Sequence, residues 1–301
     1  ALVLGMDTWL RQLNSLYKEK YQGAMLHPET EVLILGNSHA CYGVDPAAFS
    51  RPAYNLANPN QSLYFDQRIT LKLLPQLPHL KYVLISIDYH SLYFSSYVMR
   101  DVWSYYATDI RYKNRNYWLE DASPFLFGYT PSVAMAMLKK SISRKWQYKG
   151  EKAVNFEVES GINPLDSMVK GYMGFSQDDS ASFNAKTYQD RADGFNQRVK
   201  SSKEHTEVLN DLKSFIRQLK HRGITPVFFS TPVYAEFMPY LDQKIIRQNK
   251  REVYQLCAEY GLKYLDYSQS ETFTRPDFYD SDHLNKKGAR KFGEMLSEGL
   301  K

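Results

Sequence analysis

A single serine closes the apolar run Glu31-Val32-Leu33-Ile34-Leu35-Gly36-Asn37-Ser38-His39, where core-type residues give way to a tight polar turn. Far downstream, Tyr279-Asp280-Ser281-Asp282-His283-Leu284-Asn285 offers an aspartate and a histidine three residues apart. A hydroxyl, an imidazole base and an orienting carboxylate are the three groups that make a serine nucleophilic. The chemistry these types would carry is serine-dependent attack on an ester carbonyl. Alone, each half has an ordinary reading: short Gly-x-Ser turns are common, and an aspartate ahead of a helix serves as a cap.

Such groups act only if the chain folds them together. Residues 32–35 read as a short buried strand. Residues 54–57 read as a second, stopped by the turn chemistry of Asn58-Pro59-Asn60. Residues 82–87 form a third, continuous in apolar residues as a strand covered on both faces must be. Residues 226–229 and 263–266 supply two more. Helices are expected over 6–24, where Trp9, Leu10, Leu13, Leu16 and Tyr17 recur near the helical period, and over about 62–74, 204–222, 241–260 and 286–300. Strands alternating with helices imply a parallel sheet covered on both faces, with ligands at the carboxyl ends of the strands. Ser38, Asn60, His90 and His283 all fall at those ends. Between about 91 and 200 the alternation lapses into aromatic-rich sequence with one helix over 132–146 and loops at 161–164 and 177–180. The chain is read as a single domain, 1–301, with 91–200 as an insertion that carries a lid or substrate-binding elements.

Bulk composition sets bounds. With 301 residues, 43% of them apolar, the chain can bury a full core. A net charge of +5 is spread along the sequence without any nucleic-acid motif, so no nucleic acid is expected as a partner. Lys286-Lys287 with Arg290-Lys291 fits a solvated helix face. Tyrosine is abundant, 24 against 16 Phe and 4 Trp, which suits amphipathic ligands such as sugars as well as ordinary packing. Cys41 and Cys257 have no metal-ligand spacing, and Cys41 reads as a small buried packer. No glycine-rich phosphate loop follows the first strand, so neither cofactor nor metal is expected. No run of about 18 apolar residues is present to span a membrane. Ala1-Leu2-Val3-Leu4-Gly5 resembles the tail of a longer apolar segment, as does an ectodomain behind a signal or anchor.

Gly36-Asn37-Ser38-His39 after the first strand, with Asp280-x-x-His283 before the last helix, resembles the SGNH (GDSL-like) hydrolase superfamily. The resemblance covers about 190 residues of the sheet and leaves the insertion unmatched. It implies a flavodoxin-like, three-layer α/β/α fold with a central, mostly parallel five-stranded sheet. It implies Ser38 as nucleophile and one oxyanion donor, His283 as general base and Asp280 as the carboxylate behind it. Asp282 is the rival acid, but as the immediate neighbour of His283 it reaches the ring's Nδ1 poorly. The second family block places a glycine N–H in the oxyanion hole, and Asn60 stands nearest that position, with the side chain of Asn58 or Asn60 as an alternative donor. The third block supplies an asparagine, and here Ile87-Asp88-Tyr89-His90 puts His90 in its place. His39 reads as a local hydrogen-bonding residue, and His27, His79, His205 and His221 as surface groups. The branch most resembled acylates or deacylates cell-envelope polymers and exopolysaccharides. This implies an acylated carbohydrate or envelope polymer as substrate, a membrane-anchored acyl donor as partner, and an extracytoplasmic site anchored upstream of Ala1. A catalytically degenerate module that binds polysaccharide or scaffolds export is the competing expectation, motivated by the altered second and third blocks.

Overall fold

Four consecutive apolar residues form the first strand of the sheet. Val32–Leu35 (β1) is buried along its whole length, so both faces must be covered by helices. The computed structural model describes residues 2–10, 15–95, 105–110, 112, 122–128, 135, 168–176 and 178–301. Four further strands pair with β1 or follow on from its neighbours: Ala53–Asn55 (β2), Tyr82–Ser86 (β3), Thr225–Ser230 (β4) and Lys263–Asp266 (β5). Their order is β2-β1-β3-β4-β5 and every pairing is parallel, with Val32 opposite Ala53 on one side and Tyr82 on the other. This is the flavodoxin-like order, whose topological switch point lies between β1 and β3. The fold is therefore a three-layer α/β/α sandwich, and the sheet is wholly rather than mostly parallel.

The helices follow from spacing and caps. Ser38–Gly43 (α3) starts directly after β1, and Leu63–Leu73 (α4) follows β2. His205–His221 (α6) buries Val208, Leu212, Phe215, Ile216 and Leu219, a single stripe, and packs on α4. Gln243–Tyr260 (α7) begins on the Asp242 cap and ends at Gly261 in the left-handed region. Lys286–Gly299 (α8) buries Ala289, Phe292 and Leu296 and packs against α3. Right-handed crossovers put α4 and α6 on one face of the sheet and α3 with α8 on the other.

One helix in this unit was not expected. Ala185–Ser201 (α5) is seventeen residues long and falls inside the stretch read as irregular. Its buried positions, Tyr188, Ala192 and Val199, fall on one helical face but are few among polar residues, and Asn184 caps it by accepting the Thr187 N–H. The expected helix over 132–146 and the loop at 161–164 lie outside the described residues, apart from position 135.

The described residues group into two units, 23–95 with 168–301, and 1–22 with 96–167. The sheet unit thus takes the chain back at Met168, short of the expected far limit of the insertion at 200. In the smaller unit, Leu2–Leu10 (α1) and the first part of Ser15–Met25 (α2) stand where one helix over 6–24 was expected. Asp7 there accepts hydrogen bonds from Ser123 Oγ and the Phe125 N–H, both at 2.9 Å. No helix among the described residues is long and apolar enough to cross a membrane.

Candidate active site

The turn after β1 is built to present one hydroxyl. Gly36 has φ +136°, and a Cβ there would lie 2.5 Å from Ser86 Cβ on β3, so only glycine lets the two strands' ends approach. Asn37 caps α3 through Oδ1, which accepts the His39 N–H at 2.9 Å. The next turn braces this one, since the Asn58 N–H donates to Gly36 O at 3.1 Å. Ser38 is the first residue of α3 and is half-buried.

The second half sits on the loop before α8. Asp280 Oδ1 accepts the backbone N–H groups of Asp282 (3.0 Å) and His283 (2.8 Å), which closes the loop into a turn. Asn285 then caps α8 by accepting the Gly288 N–H at 3.0 Å. A Cβ on Gly288 would lie 2.1 Å from Asp277 O, so the loop and the helix start are in close contact. Within this turn the Asp280 carboxylate faces His283 Nδ1 at 2.9 and 3.0 Å. Nδ1 therefore carries the proton, and the free lone pair of Nε2 faces Ser38 Oγ at 2.9 Å. The ring is buried against Phe175 and Tyr42, with centroids 6.0 Å away in each case, and Phe175 stacks on Tyr279 at 3.7 Å. Hydroxyl, imidazole and carboxylate thus form one hydrogen-bonded chain that can draw the proton from Ser38.

Asp282 points the opposite way and belongs to a buried charge network. Its Oδ2 accepts from His39 Nε2 at 2.8 Å and from Arg191 Nη2 at 2.7 Å, and its Oδ1 meets Arg191 Nε. The other ring nitrogen of His39 stands 3.4 Å from Asp88 Oδ2, an ion-pair distance rather than a good hydrogen bond. Asp88 is further held by Ser86 Oγ and Thr231 Oγ1, both at 2.8 Å. Burial works against a charged His39, but the carboxylates of Asp88 and Asp282 outweigh it and push the imidazole up to about 10. His39 is accordingly a buried imidazolium with both nitrogens engaged, not a local hydrogen-bonding residue. Asp88→Ala leaves that charge half-compensated and is expected to cost about 3–5 kcal/mol in denaturant unfolding. Because the His39 pKa is raised on folding, its contribution is complete below 6.5 and is lost as pH rises through about 10. Wild-type stability should decline across that window, and less so in Asp88→Ala.

The expected oxyanion donors are less closely joined to Ser38. Asn60 has φ +55°, the left-handed conformation that favours glycine and next asparagine, which explains an asparagine at a glycine position. It lies exposed at the tip of its turn. His90 is buried, its ring stacked on Phe195 at 5.0 Å. Burial, joined by the His39 charge, pushes it down to about 3, so it is neutral. Since Asn37 Oδ1 is already an acceptor, its Nδ2 donates to His90 Nε2 at 3.3 Å. The His90 proton then sits on Nδ1, and only that atom could donate to an oxyanion. Behind the same turns Gln61 Nε2 donates to Asp66 Oδ1 at 2.6 Å, and burial pushes the Asp66 carboxyl up to about 7. A carboxyl raised on folding destabilises as it ionises, so stability should fall between pH 3.8 and about 7, and Asp66→Asn should flatten that part of an unfolding profile.

Among the described residues, His39, Asp282 and His283 bring metal-ligand atoms within 4.8 Å of one another. The Asp282 oxygens and both His39 nitrogens are already committed, and Arg191 adds a positive charge, so the group is a poor cation site. A cavity of about 60 Å³ opens beyond His39 and Asp282, walled by Phe195, Phe237, Leu241 and Val253. Neither Ser38 nor His283 lines it. Arg191, Asp88 and the engaged His39 escaped sequence reading. The one available signal was Asp88 itself, an aspartate ending a buried strand, which was passed over for His90.

Residues 162–297 match a family model described as DltD protein. The matched stretch holds α5, β4, β5 and the Asp280–His283 loop, and leaves Ser38 outside. No curated protein sequence matches the chain. A solved structure from Streptococcus pneumonia, described as a candidate platelet activating factor, overlays 100% of this chain on 98% of its own at 10% identity and a TM-score of 0.45. The lipase/acylhydrolase from Enterococcus faecalis overlays 90% of this chain on 95% of its own, also at 10% identity, with a TM-score of 0.38. At these scores neither overlay transfers any chemistry. The 2-1-3-4-5 parallel sheet, with the serine turn after β1 and the Asp-x-x-His loop before α8, is the arrangement that the resemblance to the SGNH-like hydrolases implies, and over residues 162–297 the chain is similar to the DltD family.

Proposed function

We propose that this protein is a serine enzyme of acyl esters, working on O-acyl groups, acetyl foremost, of a carbohydrate or cell-envelope polymer outside the cytoplasm. The observation that carries the reading is the 2.9 Å contact from His283 Nε2 to Ser38 Oγ, with Nδ1 held by Asp280. Ser38 Oγ attacks the acyl carbonyl while His283 takes its proton. The tetrahedral oxyanion is met by the Ser38 N–H, with Asn60 and His90 as further donors. Collapse expels the alkoxide, which receives the proton back from His283, and leaves an acyl-enzyme on Ser38. Water or a sugar hydroxyl, deprotonated by His283, then takes the acyl group, giving an esterase or a transferase respectively. The relay is the same for both outcomes, because the acceptor site decides. Substrate-binding elements were expected in the 91–200 insertion, much of which lies outside the described residues.

The envelope setting is supported by the resemblance of the serine and histidine blocks and by the DltD match over residues 162–297. An acyl-ester assay with and without an oligosaccharide acceptor tests the reaction, and fluorophosphonate labelling tests the nucleophile. Turnover with labelling of Ser38 is the expected result. An inert Ser38 with retained glycan binding would overturn it in favour of a non-catalytic polysaccharide module.

A further inference from the structure

Asp282 is covalently next to His283, yet its carboxylate is gripped from the far side by α5. Arg191 reaches it with both Nη2 and Nε, a forked ion pair across the two carboxylate oxygens in which Nη2 makes the hydrogen bond. Ser281 Oγ donates to the same group at 3.1 Å. The His39 ring, between Asp282 and Asp88, packs edge-on to the His283 ring with centroids 5.0 Å apart. Charges of alternating sign therefore run from Asp88, just after β3, through His39 and Asp282 to Arg191 on α5, passing directly behind the imidazole that faces Ser38. Buried ion networks add little stability compared with apolar packing of the same volume, so such an array at this place points to the site rather than the fold.

We propose that Arg191 and Asp282 are positioning residues: the fork locks the loop that carries His283 against Ser38, and its charges set how readily His283 accepts the serine proton. This rests on reading Ser38 and His283 as a proton relay. The negative charge of Asp282 lies next to the ring, and the positive charges of Arg191 and His39 lie on the far side of that carboxylate. The groups facing the ring are Asp280 and Asp282 from its own loop, Ser38, His39 and Tyr42 from α3, and Phe175 from the segment ahead of α5. Arg191 from α5 and Asp88 from the loop after β3 act through Asp282 and His39.

The test is the pH profile of fluorophosphonate labelling at Ser38. Arg191→Met keeps the length of the side chain and loses its charge. It should move the acid-limb midpoint up by about half to one pH unit, the size a unit charge change produces at a partly screened site. Asp282→Asn should move it down. Arg191→Lys keeps the charge without the fork, and should hold the wild-type midpoint at a reduced plateau rate. A residue that merely supports the fold would lower rates with the midpoint unmoved, and that result for Arg191→Met overturns the proposal. If the wild-type protein takes no label, the relay reading fails first. The His283 ring titration followed by NMR in the same three proteins then decides: opposite displacements uphold the charge coupling, and coincident curves sink it.

Discussion

Ser38→Ala is expected to abolish fluorophosphonate labelling and to lower ester turnover by about 10⁴-fold or more, while the unfolding midpoint stays near wild type. The rate falls so far because Ser38 Oγ, 2.9 Å away, is the hydroxyl that His283 Nε2 meets among the described residues. The fold is spared because Ser38 is half-buried and its turn is held by other groups: the Gly36 backbone, the Asn37 cap and the Asn58 N–H. Mass spectrometry of the labelled protein and a steady-state assay on a soluble acyl ester read the two effects. Undiminished turnover in this variant would remove the serine mechanism altogether.

Asp280→Asn should cost about 10³–10⁴-fold in turnover with little change in KM. The argument is one of tautomers. Asp280 Oδ1 holds the turn by accepting the Asp282 and His283 N–H groups, and an asparagine oxygen can keep that task. Its amide nitrogen would then face His283 Nδ1, where a hydrogen-bond donor meets a donor. The ring avoids this by moving its proton to Nε2, and the lone pair aimed at Ser38 is lost. Loop geometry survives and the base does not. Rates that recover at higher pH to the wild-type plateau would contradict this, since the wrong tautomer is neutral and does not titrate away.

How much of this could be read from the chain alone depends on where each group lies. Ser38, Asp280 and His283 were legible because each ends or begins an element with a strong local signature: a continuous apolar strand, an Asp-x-x-His turn and a capped helix. The strand order followed from the alternation of elements and from the resemblance. Arg191 was not legible. Its helix shows three buried residues in seventeen positions, and its partner lies 91 residues away. His39 looked local because a sequence reveals neighbours along the chain, whereas its two carboxylates arrive from the loop after β3 and from the loop before α8. Asn60 could be placed near a glycine position but not oriented, since a backbone N–H direction depends on a turn that propensities leave open.

Ser38 and His283 are 245 residues apart, and the helix that follows the histidine packs on the one that begins with the serine. Synthesis runs from Ser38 towards His283, so the hydroxyl has no imidazole beside it until the Asp280–His283 loop has been made. Only when the last fourteen-residue helix docks does the hydroxyl gain its proton acceptor. The order of the elements thereby withholds the imidazole from the hydroxyl until both ends of the sheet unit have folded together.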